Sequence, residues 1–154
     1  MNNIENSELY QLEKSFDKFI KEFPRARLRL CKNTGKKLYD KVIENIDRDV
    51  KEETGNLRNG VTIVIGSGGG YAAVKAEHKL APHTHLVENG HRIVTGYNPS
   101  KSAKKYHGAV DTRKDTGDWV PGKHMYRNAL NELVFELEND AQQTLYDLVG
   151  EMFG

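Results

Sequence analysis

The sequence predicts an α+β fold, with long N- and C-terminal helices packed around a small, mainly antiparallel β-sheet. Three observations predict it. Apolar residues recur at helical spacing from Leu9 to Val50 and again from Met125 to Met152, and between them lies the β-branched, glycine-bounded run Val61–Ile65. With 154 residues the chain has the usual size of one domain, spanning 1–154, long enough to bury a single core.

Taken in order, Leu9, Leu12, Phe16, Phe19, Ile20 and Phe23 form one apolar stripe, with Asn6 or Ser7 as the N-cap. Pro24 lacks an N–H and disfavours helical geometry just before it, so a separate N-terminal helix extension is expected over 1–23. Pro24 can also open the next helix at its first position. Leu28, Cys31, Gly35, Leu38, Val42, Ile46 and Val50 then keep one phase across Gly35, which predicts a continuous helix to about Glu53 with a weak point at that glycine.

Thr54–Gly60 reads as a turn followed by a short helical piece. Val61–Ile65 and Tyr71–Ala76 read as two strands of a hairpin joined by Gly66-Ser67-Gly68-Gly69-Gly70. Ala81–Glu88 is a short helix stopped by Asn89-Gly90. Residues 95–118 lack apolar periodicity and carry Lys101, Lys104, Lys105, Arg113 and Lys114. A flexible basic loop is expected there, with room for a strand near His107–Thr112. Met125, Ala129, Leu130, Leu133, Val134, Leu137, Ala141, Leu145, Leu148, Val149 and Met152 make the last helix, a rod of roughly 40 Å expected to overhang the domain.

The composition narrows the function classes. Charged residues make up 29% of the chain, yet the net charge is only +1, so this is not a globally basic nucleic-acid binder. The charge is nonetheless segregated. Lys21, Arg25, Arg27, Arg29, Lys32, Lys36 and Lys37 face only Glu22 in their stretch, while Glu132, Glu136, Glu138, Asp140, Asp147 and Glu151 have no basic neighbour. These segments are either two solvated helix faces or partners, paired within one subunit or between subunits. The single Cys31 excludes an internal disulfide and reads as a structural thiol. No run is apolar enough to span a membrane, and the polar, acidic start is unlike a signal peptide. Synthesis in the cytoplasm is therefore expected.

Catalytic constellations are thin. The Gly66–Gly70 run lacks the Lys-Ser or Lys-Thr of a phosphate loop and continues into a strand. His83, His85, Glu88 and His91 are the best metal candidates, but on a helix residues two apart point to different sides, and surface or interface roles suit them better. Trp119 in Trp119-Val120-Pro121-Gly122 fits an edge strand entering the last helix, packed on the domain, better than a ligand-binding loop. No nucleophile has an assignable histidine partner. The expectation is a non-enzyme without cofactor or metal.

Three segments in order carry a resemblance: Glu53-Thr54-Gly55-Asn56-Leu57-Arg58, Leu86-Val87-Glu88-Asn89-Gly90-His91, and Val120-Pro121-Gly122-Lys123-His124-Met125-Tyr126-Arg127-Asn128-Ala129-Leu130. Over roughly residues 24 to 140 the chain resembles the phage tail-component family named after the tenth gene product of a lambda-like coliphage. That family includes head–tail joining, tail-completion and tail-terminator proteins, also found in defective prophages and phage-tail-like bacteriocins.

The resemblance implies a structural protein of a virion or tail-like particle, assembled in the bacterial host cytoplasm. It would form a ring, commonly a hexamer, that caps the tail tube at its head-proximal end. Its partners would be further copies, the tail tube protein, a neck or head-completion protein and a sheath or collar protein. DNA would only pass through the lumen, and no membrane is involved. A closed ring needs two different complementary patches per subunit. Arg25, Arg27 and Arg29, with Lys101, Lys104, Lys105 and Trp119, are expected to meet neighbours, and Glu132 and Glu136 to offer the acidic counterpart. The alternatives are a neck or connector protein on the portal side, a histidine-based metal-binding protein, and a DNA-binding module using Lys101–Lys114.

Overall fold

A computed structural model describes residues 2–51, 54–95 and 114–153. The elements follow as α1 (Asn2–Asp49), α2 (Asn56–Asn59), β1 (Val61–Ile65), a 3-10 turn (Ser67–Gly69), β2 (Ala72–Ala76), α3 (Thr84–Asn89), β3 (Gly90–Thr95), β4 (Lys114–Pro121) and α4 (Met125–Phe153). The fold is α+β, with two long helices packed against antiparallel strands, as the sequence predicts.

The break expected at Pro24 is absent: α1 is one helix of 48 residues with Pro24 inside it. An interior proline removes one hydrogen bond and costs about 3 kcal/mol. Packing on both sides of Pro24 opposes that cost, because Phe19 and Ala26 lie in one cluster with Leu148 and Met152 of α4. Residues 1–23 therefore do not form a separate helix.

α1 and α4 run antiparallel. The buried Asn45 side chain donates to the Met125 carbonyl at 3.1 Å, Lys41 meets Glu132 at 2.8 Å, and Lys18 donates to the Glu151 carbonyl at 3.0 Å. As positions on α1 descend, those on α4 rise. The main core sits at the Asn45 end, where Val42, Ile46, Leu57, Val61, Ala81, Met125 and Ala129 are buried together. The smaller Ala26–Leu148–Met152 cluster closes the other end.

The strands form two separate two-stranded antiparallel sheets rather than the single sheet expected. In the first, Val61 faces Ala76 and Ile65 faces Ala72. This hairpin lies directly on α1. A Cβ on the buried Gly35 would meet Ile63 Cγ2 at 3.0 Å and Ala72 Cβ at 3.3 Å, so the glycine admits the sheet to the helix instead of weakening it. Gly69, at φ 71°, turns the hairpin against α1, where a Cβ would sit 2.6 Å from Leu28 Cα.

The second sheet pairs β3 with β4, with Arg92 opposite Trp119 and an irregularity between Arg92 and Val94. Its strand β4 corrects the expected loop over 95–118, since Lys114–Asp118 belong to a strand. The expected strand at His107–Thr112 and the basic residues Lys101, Lys104 and Lys105 lie outside the described residues.

Candidate assembly interface

Two of the segments that carry the resemblance meet in space. Lys123 N–H donates to the Val87 carbonyl at 2.8 Å, and His124 N–H donates to the Glu88 carbonyl at 3.1 Å. The backbones approach so closely that a Cβ on Gly122 would lie 2.3 Å from the Glu88 oxygen. His124 takes a positive φ of 52° and leads straight into α4. The Glu88 carboxylate then accepts the amides of Tyr126 and Arg127, at 3.1 Å each, and so caps the N-terminus of α4. The third segment reaches the same core through Leu57, which is buried beside Met125. Together they fix where α4 starts and which way it points along α1.

That placement leaves apolar surface in two places. Beyond its contact with Glu151 near Lys18, α1 continues past the end of α4 at Phe153, by about 21 Å at 1.5 Å per residue. This overhang, with the first turn beside α4, exposes Leu9 (63%), Leu12, Phe16 and Ile20 (67%). The expected overhang of the last helix is thus reversed, because α1 covers α4 along its length and itself protrudes. On α4, Leu130, Val134, Leu145 and Val149 are partly exposed beside the buried Leu148 and Met152, and Phe135 is 75% exposed. The sequence pattern marked these residues as a single stripe without separating those turned to α1 from those turned away.

The charged candidates divide differently from the expectation. Glu132 pairs with Lys41 at 2.8 Å, and Glu136 with Lys37 at 2.6 Å, where Asp140 joins at 2.5 Å. The acidic helix is therefore matched to α1 within one subunit, through Lys37 and Lys41 rather than through the arginines. These carboxylates hold the Lys37 and Lys41 ammonium groups above the ordinary lysine range. Arg25 pairs with Glu22 at 2.8 Å, Arg27 donates to the Gly68 carbonyl at 2.9 Å, and Arg29 is exposed. Trp119 lies on β4 as expected for an edge strand, but it is 55% exposed, with little of it packed on the domain.

The histidines do not gather. His83 and His85 are exposed at the start of α3, His91 is half-buried on β3, and the Glu88 carboxylate between them is committed to the helix cap. Among the described residues no three metal-capable side chains come together. A pocket of about 420 Å³ between β2, α3 and the start of α4 is lined in part by His78, His85, Glu88 and Tyr126. Burial, with the Glu88 charge beside it, pushes the Tyr126 hydroxyl up to about 12. No helix among the described residues is long and apolar enough to cross a membrane. Comparison with known protein families, curated proteins and solved structures gives no match to this chain.

Proposed function

We propose that this chain is a structural subunit that assembles into a ring at the head-proximal end of a phage or phage-like tail, capping the tube and joining it to the neck. The observation that carries the assembly reading is exposed apolar residues on two different elements, the α1 overhang and the part of α4 that carries Leu130, Val134 and Phe135. A ring closes through a heterologous interface, in which one patch on each copy meets a different patch on the next. A protruding helix stripe on one copy and an open helix face on the next satisfy that requirement, through the knob-and-groove packing that joins helices elsewhere. The charged ladder between Lys37, Lys41 and α4 is then the stiffener that holds the two surfaces in fixed relation within a subunit.

The tail assignment itself rests on the three-segment resemblance. The meeting of Leu86–His91 with Val120–Leu130 supports it, by giving those residues one joint structural task. Light scattering on the eluting protein, alone and with tail tube protein, tests the ring. A monomer under both conditions would count against it. Pull-downs against tube and connector proteins separate a terminator from a neck protein on the portal side.

A further inference from the structure

We propose that the outward ridge of α1 docks the phosphate backbone of duplex nucleic acid, without reading its sequence. Lys14, Lys18, Lys21, Arg25, Arg29, Lys32 and Lys36 follow one another at helical spacings of three and four. At about 100° per residue they fall within one sector of about 80°, and no other residue between Lys14 and Lys36 falls inside it. All seven are exposed. The packing partners of α1 lie mainly elsewhere around the helix: Ala26 and Lys37 turn to α4, while Cys31 and Gly35 turn to the first hairpin. Of the ridge only Lys18 hydrogen-bonds to α4, at the Glu151 carbonyl, among the described residues.

A solvent-facing helix stripe usually mixes both signs. This one carries only cations over about 33 Å of helix. Because the whole chain has a net charge of only +1, the residues outside the ridge sum to a net negative charge, although Lys101, Lys104, Lys105, Arg113 and Lys114 form a second basic run in the sequence. At its border Glu22 and Asp40 pair with Arg25 and Lys36, whose side chains are 76% and 73% exposed, so water screens both pairs, and Asp140 and Asp147 of α4 share a groove with Arg29 and Lys36. Lys21, Arg29 and Lys32 form no ion pair among the described residues.

The chemistry of the ridge selects its partner. Protein interfaces are depleted in lysine and anchored by apolar or aromatic groups at their centre. This ridge has five lysines and no apolar side chain within its sector. Nor does it carry asparagine or glutamine to pair with base edges, which leaves phosphate contact as its mode. This inference stands apart from the tail reading, since it needs only the exposed face of α1.

Fluorescence anisotropy of the full chain with labelled duplexes of two unrelated sequences tests it. Equal affinity for both is expected, with log K falling against log salt at a slope of about −3 or steeper, given 0.9 per phosphate neutralised. Replacing Lys21, Arg29 and Lys32 with Gln should flatten the slope by about 2 to 3 and weaken binding at low salt at least about tenfold. The triple replacement of Lys51, Lys75 and Lys79 with Gln, which removes the same charge from other exposed positions, should leave both unchanged. Circular dichroism establishes that both variants keep the native helix content. Absence of binding at about 50 mM salt, equal loss in the two triples, or equal competition by polyglutamate would each overturn the proposal.

Discussion

Glu88 and Arg127 are joined through a side chain and a backbone: the carboxylate at the end of α3 accepts the Arg127 amide at 3.1 Å, and the Tyr126 amide at the same distance. A long helix thus takes its N-terminal cap from a residue 39 positions earlier in the chain, so the cap also fixes α3 and the second sheet to α4. Glu88→Ala should cost about 1 to 2 kcal/mol in urea denaturation, the range for losing a cap, and Glu88→Gln less. Equal stability of all three proteins would show that the cap is not fastening the joint.

Gly122 is bound to the same joint by space alone. A methyl group there would overlap the Glu88 carbonyl, the Asn89 carbonyl carbon and the Gly90 nitrogen, all backbone atoms within 2.7 Å. Backbone cannot rotate aside as a side chain does, so Gly122→Ala should destabilise by about 1 to 3 kcal/mol, the scale of local strain at such sites. Unchanged denaturation of the Ala variant would contradict the close approach.

Tyr126 makes stability depend on alkaline pH. Its hydroxyl titrates at about 12 in the fold, against 10.0 for an ordinary tyrosine. The folded value lies above the unfolded one. Its contribution is therefore fully present below pH 10, and is lost as pH rises towards about 12, where the unfolded chain has already released the proton. Denaturation midpoints across that window should fall more steeply in the native protein than in Tyr126→Phe. Parallel curves would rule out the tyrosine as the cause.

Asp115 works in the opposite direction. The Gly117 amide, then the Arg92 guanidinium, hold its carboxyl below the usual carboxylate range. Its contribution is present above the ordinary value and is lost as pH falls through the lowered one. The protection of the Gly117 amide, its exchange measured against the intrinsic rate at each pH, should fall on acidification through that region, and Asp115→Asn should remove that fall. A Gly117 protection factor that stays constant across that region in the native protein would contradict this.

The fold was legible where patterns are local. Val61–Ile65, the glycine turn and Tyr71–Ala76 announce a hairpin by β-branching and glycine spacing, and Met125–Met152 announces its helix by periodicity. Pro24 misled because its cost is local, while the packing of Phe19 and Ala26 that offsets it comes from α4, far along the chain. β3 and the first part of β4 were hidden because both strands are exposed over most of their length, so no burial imposes an alternation on them, and only the edge strand at Trp119 could be read. The charge segregation could be read, but its partners could not. The same sequence allowed pairing within or between subunits, and only the antiparallel register of α1 and α4 brings Lys37 and Lys41, not Arg25 or Arg29, to the acidic residues.

The apolar surfaces were visible as stripes, but their exposure depends on that register too. Leu9 and Leu12 protrude because α4 ends near Lys18, and substitutions there leave the two buried clusters intact. Leu9→Ser with Leu12→Ser should therefore keep the native denaturation midpoint and abolish assembly. A soluble, folded variant that still assembles would show that the overhang is not the contact.

If copies of this chain close on one another into a ring, the mass of the native particle in solution must show it. Multi-angle light scattering on the eluting protein, with tail tube protein present and absent, should give one discrete multiple of the 17.5 kDa subunit in at least one of the two conditions, and negative-stain images should show closed rings. A mass of one subunit in both conditions, or an open series of sizes without rings, would contradict it.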